Sequence, residues 1–288
     1  MTLLQILVLA AVQGAAELLP VSSSAHVIVA AKLMGLDPTT PELTLLLVML
    51  HTGTMFAVIL FFWKSWRRSF FTSRGQFWQS CRLILLATVL TGVVGIGLKS
   101  AIERLAFGAA AHAEIEMLFG NLGLISAALA SVGILIVFAG LRRTPAAEQK
   151  TAVGTRQACL IGAVQGLCLP LRGFSRSGAT ISAGLLLGVA RERVEEFSFA
   201  LAVVLTPPVI AREVMRLMKA QAAPLSPGGT HLLDLFLPSL CGMVFSFIAG
   251  LLALRWLSSW LEKGLWHYFG YYCLAASLVV FSLYRMGM

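Results

Sequence analysis

The chain has 288 residues, of which 58% are hydrophobic and 12% are charged, and its mean hydropathy is +0.86. Soluble globular domains carry about 25% charged residues, so this composition excludes that class and indicates an integral membrane protein. The formal net charge is +9, but the basic residues lie between apolar segments and form no binding stripe, which argues against a nucleic-acid-binding protein.

The chain begins with a short apolar run that leads directly into a polar tract. Residues 12–26 read VQGAAELLPVSSSAH and combine Gln13, Glu17, three consecutive serines and His26 around a proline. The run has no basic leader, so no cleavable signal peptide is predicted. Broken, polar backbone persists at membrane depth only where protein or a water-filled cavity satisfies it. Residues 3–34 are therefore predicted to form a re-entrant helical hairpin.

Six later segments are apolar enough to cross the membrane as helices, which takes about 20 residues each. They lie near residues 43–63, 83–98, 117–141, 198–218, 235–254 and 265–284. The stretch 64–82 has five basic and no acidic residues, and 142–157 has four basic residues against Glu148. By the positive-inside rule both face the cytoplasm, and the span count places 99–116 and 219–234 outside.

An internal repeat sets the predicted topology. AVQG occurs at 11–14 and at 163–166, each time before a proline and a serine-bearing tract, and three predicted spans follow each tract. An odd number of crossings gives the two units opposite orientations, which is an inverted-topology repeat. The predicted fold is a single all-α polytopic membrane domain over 1–288, with six transmembrane helices and two re-entrant helical hairpins. Repeat one covers 1–141, repeat two covers 156–288, and the second hairpin covers 158–190.

The second polar tract, LPLRGFSRSGAT, predicts an anion site. Arg172 and Arg176 carry planar guanidinium groups that hold two phosphate oxygens at once and stay charged when desolvated. Ser175, Ser177 and Thr180 add hydroxyl groups. A helix beginning near Thr180 would point its positive end at the same place. Phosphate is the anion that this set suits best.

The first tract supplies complementary groups. Glu17, with Gln13 four residues earlier on the same helical face, offers oxygen ligands to a hard cation, Mg²⁺ or Ca²⁺, when phosphate donates the remaining ligands. One of the serines 22–24 offers a nucleophile. His26 is a candidate base, leaving-group acid or nucleophile in its own right.

Both tracts carry a family resemblance. QGAAELLPVSSSAH resembles the (E/Q)xxxE and PVSSxxH motifs of the bacterial undecaprenyl pyrophosphate phosphatases, the BacA-type enzymes, and GFSRSGATIS resembles their second signature, PGxSRSGxT. The resemblance covers essentially the whole chain. It implies six transmembrane helices, two re-entrant hairpins and hydrolysis of undecaprenyl pyrophosphate to the monophosphate and phosphate with a divalent cation. This reaction recycles the carrier lipid of cell-wall synthesis, and family members are similar to bacitracin-resistance determinants.

The resemblance transfers functional roles by matching position. The matching residues are Gln13, Glu17, Ser22, Ser23, His26, Ser175, Arg176 and Thr180. The predicted catalytic residues are Glu17, Ser23, His26 and Arg176; the predicted substrate ligands are Ser22, Arg172, Ser175, Ser177 and Thr180; the predicted metal ligands are Gln13 and Glu17. Arg172 stands where the family has proline, and the spacing from Gln165 is longer by one residue. The choice between Ser23 and His26 as nucleophile stays open.

Three function classes fit a chain of this kind. A lipid pyrophosphate phosphatase is favoured over a transporter or flippase of a phosphorylated polyprenyl lipid, because a flippase needs anion recognition but no nucleophile. The inverted repeat does not separate the two classes, since a transporter would show it as well. A purely structural membrane subunit is favoured least. The expected partners are a polyprenyl pyrophosphate and membrane lipids, without nucleic acid, and a homodimer is one of the assemblies that the sequence allows. The expected location is the bacterial inner membrane, with an active site that the resemblance places toward the periplasm.

The other histidines and the cysteines are interpreted as structural residues. A lone histidine in an apolar protein is usually satisfied within the fold, and His51, His112, His231 and His267 fall in this class. The five cysteines have no CxxC pairing, so neither a disulfide framework nor a zinc site is predicted.

Overall fold

The computed structural model describes residues 1–36, 40–107, 121–142, 149, 151–221 and 232–286. These ranges contain ten α-helices, which confirms the all-helical prediction. The helices are Leu3–Leu18 (α1), Ser23–Leu33 (α2), Pro41–Ser69 (α3), Arg74–Phe107 (α4), Leu122–Leu141 (α5), Thr155–Cys168 (α6), Arg176–Leu186 (α7), Arg191–Gln221 (α8), Leu232–Glu262 (α9) and Trp266–Arg285 (α10).

Five of the described helices are long and apolar enough to cross a membrane. The segments are Leu43–Ser69, Arg74–Leu105, Leu122–Leu141, Arg191–Ala211 and Phe236–Glu262. Each coincides with a predicted span, but the bounds differ. The segment predicted at 83–98 belongs to α4, which has 34 residues, because its polar ends continue the backbone hydrogen bonds of the helix beyond the apolar middle. The segment predicted at 198–218 lies earlier, at Arg191–Ala211, and residues 117–120 fall outside the described ranges.

Two pairs of short helices contain the polar tracts. α1 and α2 have 16 and 11 residues and pack against each other. α6 and α7 have 14 and 11 residues and do the same. A helix rises about 1.5 Å per residue, so none of the four reaches across a hydrocarbon layer of about 30 Å. The two polar tracts therefore sit at the turns of two helical hairpins.

Contacts divide the chain into two compact units. The first contains Met1–Leu18, Ser23–Trp63 and Ala202–Leu257, and the second contains Leu19–Ser22, Lys64–Leu201 and Ser258–Met288. The short turn of the first hairpin thus belongs to the second unit, while the helices on both sides of it belong to the first.

The first unit has an apolar core built from α1, α2 and α3. Its buried members are Ile6, Leu9, Ala10, Val27, Ala31, Leu43, Leu46 and Leu50. Gly14 brings α1 close to α9, because a Cβ at this position would lie 2.6 Å from Ala249 Cβ and 2.7 Å from the carbonyl oxygen of Ser246. Small residues at such crossings allow the close packing that associates helices within a membrane.

Helix pairs in the second unit also meet through small and hydroxyl-bearing residues. Ser126 on α5 donates to the carbonyl of Ser277 on α10 at 3.0 Å, and Ser277 donates back to the carbonyl of Ser126 at 2.9 Å. A Cβ at Gly166 on α6 would lie 2.9 Å from the carbonyl oxygen of Thr91 on α4. Gly14 and Gly166 are the glycines of the two AVQG copies, so the repeated letters encode a helix-packing position.

Candidate functional site

The turn between α1 and α2 contains a serine, Ser22, whose backbone conformation is strained. Ser22 has a φ of +68°, a conformation that no other non-glycine residue adopts within the described ranges. The left-handed region costs such a residue about 1 kcal/mol, and strain of this kind concentrates at functional sites. Ser22 is also buried, at 6% exposure. The turn is therefore held in place by its surroundings and presents Ser23 at the start of α2.

The carboxylate of Glu17 gathers polar groups from three helices of the first unit. Its Oε2 accepts a hydrogen bond from Ser23 Oγ at 2.6 Å and another from Gln13 Nε2 at 3.1 Å. His51 on α3 places its Nε2 3.5 Å from the same oxygen. Gln13 is 1% exposed, and the Glu17 side chain is 17% exposed. The predicted pairing of Gln13 and Glu17 on one helical face is therefore what the structure shows.

His51, which the sequence places among the structural histidines, lies beside this cluster. Its Nδ1 lies 2.8 Å from the carbonyl oxygen of Leu47, one turn earlier in α3. The signal that identifies it is its position inside a predicted span, since ionisable residues at membrane depth are functional candidates. His26 lies half-buried in the first turn of α2, three residues after Ser23 and so on the same side of that helix.

The second tract forms a capped turn followed by α7. The sequence predicted that this helix begins near Thr180, but it begins at Arg176. The reason is Ser175, whose Oγ accepts a hydrogen bond from the Gly178 N–H at 3.3 Å and caps the helix. Gly173 has a φ of +98° in the preceding turn, where a side chain would be strained. Arg176 therefore stands at the positive end of α7.

The predicted phosphate ligands occupy different environments. Arg172 is exposed, whereas Arg176 is half-buried. The hydroxyls of Ser175 and Ser177 lie 3.4 Å apart and both residues are buried. Thr180 is fully buried, and its hydroxyl lies 2.8 Å from the Arg176 carbonyl and 2.6 Å from Ser198 Oγ. Thr180 therefore stabilises the first turn of α7 through its hydrogen bond to the Arg176 carbonyl and its contact with Ser198 on α8.

The turn of the first hairpin packs against the start of α7 within the second unit. Ser177 Oγ donates to the carbonyl of Leu19 at 3.5 Å. A Cβ at Gly178 would lie 3.3 Å from the carbonyl oxygen of Pro20, and Cys273 Sγ donates to the same oxygen at 3.3 Å. Leu19 and Pro20 therefore contact the start of α7 and α10 directly.

The donor atoms around Glu17 suit a hard divalent cation. A carboxylate, an amide and a hydroxyl supply oxygen atoms, the donor type that Mg²⁺ and Ca²⁺ prefer. No cluster of three or more His, Cys, Asp or Glu side chains forms among the residues that the structure describes. A cation held here would consequently take further oxygen ligands from a phosphate-bearing substrate, as Mg²⁺ commonly does.

A second polar network lies within the second unit, and sequence reasoning did not find it. Glu196 on α8 is 4% exposed and accepts hydrogen bonds from Ser65, from Ser69 at 2.8 Å and from Arg193 at 3.0 Å. Glu195 accepts one from Ser258 at 2.5 Å. These partners belong to the same unit. The network therefore ties the C-terminal ends of α3 and α9 to α8, and it lies outside the polar tracts.

A family model and three known proteins match this chain over nearly its whole length. A family model described as bacitracin resistance protein BacA matches residues 6–279, which include both polar tracts. An undecaprenyl-diphosphatase 2 from Acinetobacter baylyi is 58% identical over 286 residues, covering 98% of each chain. An undecaprenyl-diphosphatase from Rhodopirellula baltica is 30% identical over 281 residues, again covering 98% of each chain. An undecaprenyl-diphosphatase 2 from Burkholderia ambifaria is 31% identical and covers 96% of this chain and 95% of its own.

Proposed function

Since the chain belongs to the BacA family of bacitracin resistance proteins, we propose that it is a membrane phosphatase that hydrolyses undecaprenyl pyrophosphate to undecaprenyl phosphate and inorganic phosphate. The named relatives are undecaprenyl-diphosphatases, and this chain matches them over nearly their whole length. The observation that carries the proposal is the 2.6 Å hydrogen bond from Ser23 Oγ to Glu17 Oε2. A hydroxyl that donates to a carboxylate is the arrangement of an activated nucleophile.

The geometry favours Ser23 as the nucleophile and Glu17 as its base. Ser23 Oγ attacks the terminal phosphorus of the pyrophosphate, its proton passes to Glu17, and the bond from phosphorus to the bridging oxygen breaks. Undecaprenyl phosphate leaves, and water then hydrolyses the phosphoserine to release phosphate. His26, on the same side of α2, is proposed to accept a proton from that water, while Glu17 returns its proton to the departing Ser23 Oγ.

Arg176 is the proposed ligand for the charge that develops on the transferred phosphoryl group. Its position at the start of α7 adds the positive end of the helix to its own charge. Electrostatic groups fixed in advance at the developing charge are commonly the largest contribution to catalysis. Arg172, which is exposed, is proposed to contact the substrate only on its way in.

A divalent cation is the proposed cofactor, held by Glu17 and Gln13. When bound, it would neutralise negative charge on the pyrophosphate oxygens. Gln13 keeps Glu17 in place by a hydrogen bond of 3.1 Å, so the amide supports the carboxylate in either role.

The finer topology is part of the proposal. α10 has 20 residues, as does α5, and the two helices pack along each other, which supports α10 as a sixth span. The two short hairpins are proposed to enter the inner membrane from opposite sides, as an inverted repeat requires. The active site is proposed to face the periplasm. The flippase alternative is not retained, because the relatives described above carry phosphatase names.

Phosphate release from undecaprenyl pyrophosphate by the purified chain in detergent tests this function. We expect wild-type protein to release phosphate and Ser23→Ala to lose activity by about 1,000-fold or more, because the nucleophile is absent. Ser131→Ala is the matched control, since Ser131 is exposed on α5 and donates only within its own helix at 2.8 Å. A wild-type protein that binds the lipid but releases no phosphate would exclude the proposal.

A further inference from the structure

His51 has the geometry of a metal-binding histidine. Its Nδ1 lies 2.8 Å from the Leu47 carbonyl oxygen, and a carbonyl only accepts, so this contact requires the hydrogen on Nδ1. In the neutral imidazole the lone pair is then on Nε2. Metal-ligating histidines almost always donate the other ring N–H in this way, which fixes both the tautomer and the orientation of the ring.

The Nε2 of His51 points at the carboxylate already proposed to bind the cation. It lies 3.5 Å from Glu17 Oε2. Two ligand atoms, each about 2.1–2.2 Å from one ion, are separated by about 3.0–3.6 Å when the angle between them is about 90–110°. The observed separation is therefore compatible with two ligands of one ion, without movement of either helix.

The two residues come from α1 and α3, whose apolar faces share the core of the first unit. Leu9 and Ala10 on α1 and Leu46 and Leu50 on α3 are buried members of that core. Leu50 is adjacent to His51, and its carbonyl oxygen accepts a hydrogen bond from Ser246 Oγ at 3.0 Å. The buried Leu46 and the hydrogen bond at Leu50 thus hold the backbone next to His51, as a preformed ligand requires.

We propose that His51 is a nitrogen ligand of the divalent cation, together with Glu17, and that the site therefore prefers Mn²⁺ to Ca²⁺. Ca²⁺ takes oxygen ligands, whereas an imidazole favours transition metals. The inference rests on the proposed function, in which the cation serves the pyrophosphate. It extends that function by naming a ligand and a cation class that the sequence motifs do not contain.

Mn²⁺ binding to the purified full-length protein, without substrate, tests the ligand. Loss of the free Mn²⁺ signal in electron paramagnetic resonance gives the affinity. We expect His51→Ala to weaken Mn²⁺ binding by at least about 10–100-fold, the range found when mere supporting groups of a metal site are removed. Thr52→Ala is the matched control on α3 and should bind Mn²⁺ like wild type, because Thr52 donates to the Val48 carbonyl within its own helix at 2.8 Å.

Pulsed resonance of the bound Mn²⁺ gives a second signature. We expect electron-spin-echo modulation from an imidazole ¹⁴N in wild-type protein and in His26→Ala, and its loss in His51→Gln. The glutamine supplies an amide oxygen instead of a nitrogen, so it should also shift the ratio of Mn²⁺ to Ca²⁺ affinities toward Ca²⁺ by about tenfold.

Two results would overturn the inference. One is Mn²⁺ affinity and modulation unchanged in His51→Ala, which would make the contact with Glu17 an ion pair only. The other is a wild-type protein that binds no Mn²⁺ while releasing phosphate, which would remove His51 from the metal site but leave the phosphatase intact. Failure of phosphate release in wild type, by contrast, would count against the proposed function alone.

Discussion

In the proposed mechanism Glu17 serves both as the base and as a cation ligand, so removing its charge has two separable consequences. Glu17→Gln keeps the volume and one hydrogen-bond acceptor but removes the negative charge. We expect kcat to fall by about 100-fold or more, in line with the loss of a general base, while the melting temperature in detergent stays close to that of wild type. Steady-state phosphate release and a thermal melt measure both quantities.

Glu103→Gln is the control for this change. Glu103 pairs with Lys99 on α4 at 3.6 Å, and partly exposed pairs of this kind contribute about 0–1 kcal/mol.

Excess chelator should abolish turnover in wild type. Full activity in chelator would remove the cation from the reaction, and an active Glu17→Gln would assign the base to another group.

Arg176 and Arg172 separate what the motif requires from what this chain adds. Arg176→Lys replaces a planar, two-pronged donor at the start of α7 with a point charge, so kcat should fall by about 100-fold or more. Arg172→Pro introduces the residue that the family pattern has at this exposed position and should change kcat less than about tenfold, acting mainly on KM. Kinetics of both variants decide the matter; equal losses, or a larger one at position 172, would show that the anion site is centred elsewhere.

At the scale of the elements, the second hairpin shows how one cap sets a helix boundary. The sequence placed the start of α7 near Thr180. Ser175 captures the Gly178 N–H, and the helix starts four residues earlier, at Arg176. The cap therefore decides which side chain stands at the positive end, and this is the arginine of the motif.

The Glu196 network predicts how α8 is held in the second unit. Glu196→Ala would leave the donors of Ser65, Ser69 and Arg193 without their shared acceptor. Hydrogen bonds to a charged group contribute about 1.5–3 kcal/mol, so we expect a melting temperature lower by several degrees and kcat close to wild type in the folded fraction. Glu192→Ala, at an exposed position on the same helix, should melt like wild type. A Glu196→Ala protein with an unchanged melt would show that the network adds no stability.

At the scale of the whole molecule, topology follows from the positions of charge and the lengths of helices. α4 has 34 residues and is about 50 Å long at 1.5 Å per residue, so its two ends must emerge on opposite sides if it spans the membrane. In a cysteine-free active background, Gln79→Cys should react with an impermeant maleimide only after permeabilisation. Leu105→Cys, at the exposed far end of α4, should react in intact cells.

The same labelling tests the re-entrant hairpin. Arg156 at the start of α6 and Glu192 at the start of α8 are both exposed and lie on either side of the second tract. Cysteines at the two positions should react from the same side, the cytoplasm, because a re-entrant segment returns to the face from which it enters. Reaction from different compartments would replace the hairpin with a crossing.

The sequence by itself determined that this is a membrane protein, that it contains two helical hairpins, and which residues make up the two polar motifs. These features depend on composition and on spacing within a few residues, as the pairing of Gln13 with Glu17 one turn apart shows. Five of the six predicted spans were located because apolar length is a local property, but their ends were not, since backbone hydrogen bonds carry a helix past its apolar middle. The sixth span, at α10, stays a prediction.

Only the tertiary structure decided which groups surround the Glu17 carboxylate. His51 meets Glu17 because the apolar faces of α1 and α3 pack together, and no spacing along the chain records that contact. Thr180 matches the motif as well as Ser175 does, yet its hydroxyl turns to Ser198, because the α7–α8 packing buries that side of the helix. Side-chain direction depends on which face a neighbouring helix covers, so it is fixed by packing and not by the order of the residues.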